Sequence, residues 1–194
     1  MVEDTKIEAP AQVIYNLINN LGAMEQWNDW NLQDTSMVVT HGEKIVGVGA
    51  KTSWTSINSG NGAQEIIESI TNSKVKTALN FEGYDATNYA EFNISENGKI
   101  TDLSWSFESG EDLPFLMRGA MGLMGMKKSM KRSYKAGLKN IKRIAEQRSN
   151  ENLYDGYKIS QVSAPEKNYV MTRQEVAFDK ITQFFGSSQG NLQE

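Results

Sequence analysis

The residues available for chemistry in this chain are mostly carboxylates. His41 is the single histidine and there is no cysteine. A histidine-based triad, a thiolate nucleophile and a thiolate or multi-histidine metal centre therefore lack their ligands. Its place beside Gly42 marks His41 as an exposed turn residue. No phosphate-binding loop, dinucleotide-binding glycine pattern or zinc-protease motif occurs. What remains is Glu82, Asp85, Glu91, Asp102 and Glu108, on or between expected strands. A carboxylate turned into an apolar cavity has a raised pKa and can act as acid or base, but most carboxylates sit at the surface. Alternation puts Asp102 and Glu108 on the face opposite Leu103 and Phe107, away from any cavity those apolar residues line. No catalytic residue, metal ligand or cofactor is assigned.

The other chemistry on offer is apolar binding. Trp54, Phe81, Trp105 and Phe107 fall on strands, Met117, Met121 and Met124 on a helix entry, and Tyr134 on the helix itself. Each is either core packing or the wall of a ligand cavity. Trp27 and Trp30, three apart, likewise cover a core edge or line a pocket mouth.

The element that must position them is a long helix over residues 111–148. Ser109-Gly110-Glu111-Asp112-Leu113-Pro114 is a helix-start signal. Leu123, Met126, Met130, Tyr134, Gly137, Ile141 and Ile144 recur at three- and four-residue steps on one face. Lys128, Lys131, Lys135, Lys139 and Lys142 occupy the other. From Lys127 to Arg148 the net charge is +8, against −4 for the whole chain, so the remainder carries −12. This basic face is either solvated and paired with the acidic body or a stripe for an anionic membrane or a partner. Nucleic acid is not expected, because the chain is acidic overall and no recognition motif accompanies the stripe. The entry from Phe115 to Met126 has three glycines at steps of three among methionines. It reads as core filler at a kinked helix start or as an adaptable lid over an apolar cavity.

The rest of the chain supplies the partner surface. A strand ends at Glu8, and Ala9-Pro10 opens a helix, with proline in its first turn and Val13, Ile14, Leu17, Ile18 and Leu21 apolar. A second short helix is expected over Met24 to Trp30. From Ser36 to Glu108 the pattern becomes β. Strands are expected at 37–40, 44–46, about Ala50 to Ser56, 64–70, 74–82, 89–95 and 100–108, with Asn97-Gly98 as a hairpin turn. This is an antiparallel meander with one face buried. Ser149 onward is a polar linker, followed by strands near Tyr157 and Tyr169 and a helix from Glu175 to Phe185. That tail is too small to bury its own core. The chain holds no signal peptide or membrane-spanning run. Met1-Val2-Glu3-Asp4 leads almost at once into a structural motif, so the first strand looks clipped and a leader or membrane anchor upstream stays open; the default compartment is cytoplasmic.

Ile7-Glu8-Ala9-Pro10-Ala11-Gln12-Val13-Ile14-Tyr15 followed by Trp27-Asn28-Asp29-Trp30 resembles the opening of SRPBCC (START-like) proteins of the polyketide cyclase/dehydrase type. Gly47-Val48-Gly49-Ala50 with Trp54, Thr101-Asp102-Leu103-Ser104-Trp105, and Tyr134 to Lys142 resemble its later motifs, in the same order. The resemblance implies an α+β helix-grip fold: a curved antiparallel sheet around a long C-terminal helix, with a cavity between them. It implies binding of lipids, sterols, polyketides or other apolar molecules, and in some members a cyclase or dehydratase activity. From Gly156 the tail is similar to the opening of a gyrase-inhibitor-like effector-binding domain, whose remainder would lie beyond this chain. The expected organisation is a domain over 1–148, a linker over 149–155 and a short β-β-α tail over 156–194. The first functional expectation is a non-catalytic carrier or sensor of a small apolar or aromatic molecule. The alternatives are a cyclase or dehydratase, and a module that docks a partner or a second copy (a homodimer) through the basic helix and tail.

Overall fold

The computed structural model describes residues 1–83, 85–110, 126–150, 153–154, 157–158 and 177–184. The chain divides into two compact units, Met1–Ile159 and Ser160–Glu194. In the first, strands β1 (Val2–Ile7), β2 (Val38–His41), β3 (Lys51–Thr55), β4 (Gly62–Ile70), β5 (Lys74–Phe81), β6 (Asn88–Asn97) and β7 (Ile100–Glu108) form one antiparallel curved sheet. Its order is β1-β7-β6-β5-β4-β3-β2. Helices α1 (Ala11–Ile18) and α2 (Asp29–Gln33), with a 3-10 helix over Leu21–Gln26 between them, and the long α3 (Met126–Asn150) complete it.

Alternation produces the sheet's two faces. On β7, Thr101, Leu103 and Trp105 are buried while the residues between them are partly exposed. Ile66, Val75, Ala90, Phe92 and Ile94 extend the same buried face across β4, β5 and β6. Gly98 and Lys99 make the tight β6–β7 connection, Gly98 at φ 66°, one residue on from the expected Asn97-Gly98, because Asn97 still pairs with Ile100 as the last residue of β6. Between Ile66 and Glu68 the β4–β5 register shifts by a bulge, a device that adds curvature.

The first helix is held at both ends. Pro10 is its N-cap rather than part of its first turn, and its side chain offers no cap bond. Glu96 does that work from the β6 end, accepting from the Ala11 N–H at 2.7 Å. At the other end Tyr15 Oη donates to Ser69 Oγ, which donates to Asn19 Oδ1, fixing α1 against β4.

On α3 the apolar face is buried through Tyr134, Leu138, Ile141, Ile144 and Ala145. Gly137 lets the helix come close: a methyl there would lie 2.8 Å from Trp105 Cζ3. Asn140 Nδ2 donates to the Trp27 carbonyl at 3.1 Å. The basic face is partly engaged within the molecule. Lys131 and Lys135 pair with Glu3 at 3.1 and 3.7 Å, and Lys142 with Glu146 at 2.6 Å.

Four expectations change. Lys44–Val46 is not a strand; only Val46 forms an isolated bridge, to Asn20, while β2 pairs directly with β3. Gly47 at φ 73° and Gly49 at φ 85° turn the chain there, so the apolar Ile45 and Val46 lie in a loop. The helix expected over Met24–Trp30 is split into the 3-10 helix and α2, because Asn28 caps a fresh start by accepting from the Trp30 N–H at 3.0 Å. The region read as a linker over 149–155 holds the last two residues of α3 and a strand β8 (Leu153–Tyr154), paired antiparallel with β9 (Tyr157–Lys158). Neither proline nor glycine occurs from Ser149 to Asn152 to stop the helix. In the second unit, the helix read from Glu175 begins as a 3-10 turn over Phe178–Lys180, and residues 181–184 are helical. The helix start at 109–114, the glycine/methionine entry and the strand near Tyr169 fall on or run into residues outside the described set.

Candidate ligand-binding cavity

Between the inner face of the sheet, α2 and α3 lies a partly open cavity of about 970 Å³. Small-molecule pockets span about 300–1,000 Å³. Of the residues expected at such a site, Trp54, Phe81, Trp105, Phe107 and Tyr134 line it. Met117, Met121 and Met124 lie outside the described residues. Trp27 and Trp30 line it as well.

Apart from Phe107, these aromatics belong to two groups. Around Trp105 the rings form one cluster. Tyr134 stacks on it at 3.9 Å between centroids and Phe92 at 4.7 Å, and Trp27 meets it edge-on at 5.6 Å. Trp27 is also tied down, its Nε1 donating to the Leu17 carbonyl at 3.1 Å. Trp105 and Tyr134 are core residues whose edges reach the cavity, and burial pushes the Tyr134 phenol upward, so it stays protonated. Trp105 Nε1 is buried and has no hydrogen-bond partner among the described residues. The second group is Trp54 and Phe81, packed edge-on at 5.9 Å and only half-buried. The Trp54 ring lies over Gly62, where a methyl would overlap Trp54 Cζ2 and come within 2.8 Å of the Asn80 carbonyl.

Most carboxylates singled out from the sequence face elsewhere. Glu91 takes a bond from Asn93 and an ion pair from Lys74, which hold its carboxyl below the usual range. Asp102 is held low in the same way by Lys6, with Asn97 adding a bond. Asp85 and Glu108 are exposed and do not line the cavity. Only Glu82 of that set reaches the cavity, at its rim. His41 is the last residue of β2 rather than part of a turn, and its Nε2 lies 2.8 Å from Glu25 Oε1.

Two further carboxylates matter and were not singled out. Asp29 and Asp34 line the cavity and are 7% and 8% exposed. Asp29 accepts from Gln33 Nε2 at 3.3 Å. Asp34 is saturated. Its Oδ1 accepts from the Ser36 N–H, Ser36 Oγ and Asn58 Nδ2, and its Oδ2 from Ser56 Oγ and Ser59 Oγ. The serine hydroxyls, led by Ser36, hold its carboxyl far below the usual range, so Asp34 is a fixed anion and not a proton carrier. The sequence hint for Asp34 was Asp-Thr-Ser, an Asx-turn pattern. On the floor, Thr52 and Gln64 are cross-strand neighbours, both buried. Gln64 Nε2 donates to the Met24 thioether at 3.0 Å, a weak acceptor, and Thr52 Oγ1 has no partner among the described residues. Among the described residues, no group of three or more His, Cys, Asp or Glu side chains is placed to hold a metal ion.

Residues 1–146 match the family model described as polyketide cyclase/dehydrase and lipid transport. The chain belongs to this family. Among solved structures, protein CV1439 of Chromobacterium violaceum aligns at 16% identity and TM-score 0.55, over 75% of this chain and 96% of its own. A Thermobifida fusca protein aligns at 12% identity and TM-score 0.55, over 76% and 93%. The di-domain ARO/CYC StfQ of the steffimycin biosynthetic pathway aligns at 10% identity and TM-score 0.51, over 78% of this chain and 46% of its own. A comparison with curated proteins finds no match. At these identities the structures establish the fold, the helix-grip of the polyketide cyclase/dehydrase family. Membership points to ligand binding or cyclase-type chemistry.

Proposed function

We propose that this chain binds a small apolar or aromatic molecule in the cavity between sheet and long helix, as a carrier or sensor. The observation that carries the reading is the cavity itself: about 970 Å³, walled by aromatic rings, several of them only half-buried. Covering about 300 Å² of apolar ligand surface would contribute about 7 kcal/mol before ordering costs. Native mass spectrometry of protein purified from cells tests this, followed by denaturing analysis of what co-purifies and titration with a neutral naphthylamine dye. A bound apolar mass or saturable dye fluorescence is expected. A protein that arrives empty and shows no saturable binding overturns the reading.

One observation favours a second reading, a cyclase or dehydratase. Asp29 is a nearly buried carboxylate in the cavity wall, held by one long bond and placed where a bound ring system would lie. In that case Asp29→Asn abolishes turnover of an aromatic polyketide substrate while leaving its binding in place. Tight binding of such a substrate with no turnover by the unmodified protein removes this second reading.

A further inference from the structure

The charge of the cavity wall is one-sided. Among the described residues, Glu25, Asp29, Asp34 and Glu82 line it against one cation, Arg132. Glu25 is engaged by His41, and Asp29 by Gln33. Asp34 and Glu82 differ from these in being gathered at one place. Both are held by the turn between β3 and β4: Ser56 and Ser59 donate to Asp34, and Asn61 Nδ2 donates to Glu82. The Ser56 N–H donates to Asn61 Oδ1 and so links the two halves of the turn. Among the described residues neither carboxylate has a cation partner in an ion pair.

The half-buried aromatic pair stands at the same rim. Trp54 lies two residues before Ser56, and Phe81 immediately precedes Glu82. Their rings meet edge-on at 5.9 Å and both line the cavity. Thr52, on the same face of β3 as Trp54, is 5% exposed and its hydroxyl is unpartnered. Aromatic faces attract cations through the ring quadrupole, and the attraction grows as the site is desolvated. Fixed carboxylates beside them add the same sign of preference, and they penalise an anionic group. Around Trp105 the lining is aromatic and stacked.

We propose that Trp54, Phe81, Asp34 and Glu82 form an ammonium subsite at the rim, so that the ligand is an amphipathic molecule with an apolar or aromatic body and a positively charged amine, and anionic amphiphiles are excluded. The proposal rests on the cavity reading above and adds the ligand's charge to it. Asp34 supplies permanent negative charge because its five donors keep it ionised. Glu82 stands exposed at the edge and meets the amine on entry.

The test uses three probes with one ring system: naphthylmethyl-trimethylammonium, naphthylmethanol and naphthylacetate, titrated by tryptophan fluorescence and calorimetry. The ammonium is expected to bind at least tenfold more tightly than the carboxylate, with the alcohol between them. Glu82→Gln and Asp34→Asn should each narrow that spread and leave the alcohol's affinity within twofold. Glu82→Gln alters an exposed side chain and keeps the test decisive if Asp34→Asn disturbs the turn. Alcohol binding with equal or tighter carboxylate binding overturns the subsite and leaves the cavity reading standing, as does a spread unchanged in Glu82→Gln. Failure of all three probes overturns both.

Discussion

Gly137 faces Trp105, and the contact gives a sharp test of how α3 is seated on the sheet. Replacing Gly137 with alanine has two opposed effects. In a helix interior alanine is favoured over glycine by about 1 kcal/mol. Against that, the added methyl would stand 2.8 Å from Trp105 Cζ3, where carbon–carbon contacts relax to about 3.5–4.0 Å. The indole has little room to yield: Tyr134 and Phe92 stack on it and Trp27 meets it edge-on. Overpacking of a core costs about 1–3 kcal/mol. The expected net effect of Gly137→Ala is a loss of about 1 kcal/mol. In a Trp105→Phe background the clashing part of the indole is gone, and the same substitution should stabilise by up to about 1 kcal/mol. The coupling in this cycle is then about 2 kcal/mol, within the range for residues in contact. Urea unfolding of the four proteins, read by far-UV circular dichroism, measures it. Stabilisation by Gly137→Ala with Trp105 present, or equal effects in both backgrounds, would refute the close seating of the helix.

Other outcomes follow from single contacts. Glu96→Ala removes the acceptor for the Ala11 N–H and should lower stability by about 1 kcal/mol, as loss of an N-cap does; an unchanged urea midpoint would mean that solvent replaces the bond at no loss. Thr52→Val removes a buried hydroxyl with no partner while keeping the shape, and should raise the unfolding midpoint of the free protein, because an unsatisfied buried group costs about 1–3 kcal/mol; a lowered midpoint counts against it. The Asp34 anchor gives a pH signature. Its folded-state pKa is depressed, so the stability it contributes is fully present above the unfolded carboxylate value of about 3.9 and is lost as pH falls toward the folded value. The midpoint difference between the natural protein and Asp34→Asn should therefore be flat from about pH 5 to 7 and shrink below about pH 4. A difference that persists or grows in acid would show that Asp34 acts through something other than its charge.

Much of the scaffold is visible in the residues themselves, because strands with one buried face write a period of two into the chain. Ile100–Glu108 and its hairpin partner are legible from Leu103, Trp105 and Phe107 and from Asn97-Gly98. The helix face is legible from Tyr134, Ile141 and Ile144, although Leu138 and Ala145, also buried, widen it beyond the stripe that three- and four-residue steps suggest. The carboxylates are the part the pattern conceals. Locally Asp34 shows only the Asx-turn pattern with Ser36, which many surface aspartates share; its other donors Ser56, Asn58 and Ser59 stand more than twenty residues away and reach it only through the β3–β4 turn. Asp102 and Glu91, which sit in recognisable strands, prove to be ion-paired. Ile45 and Val46 misled for the opposite reason: apolar residues read as a strand, but Gly47 and Gly49 turn the chain before a hairpin can form.

The tryptophan lying over Gly62 has a consequence for how the cavity wall can vary. With the indole of Trp54 and the Asn80 carbonyl both closer than a Cβ tolerates, position 62 has room for no side chain at all. The two positions are therefore coupled only in part: shrinking residue 54 removes one of the two overlaps, and the Asn80 carbonyl, a main-chain atom, still bars a side chain at 62. A substitution at Trp54 can therefore reshape the cavity wall while position 62 keeps its glycine.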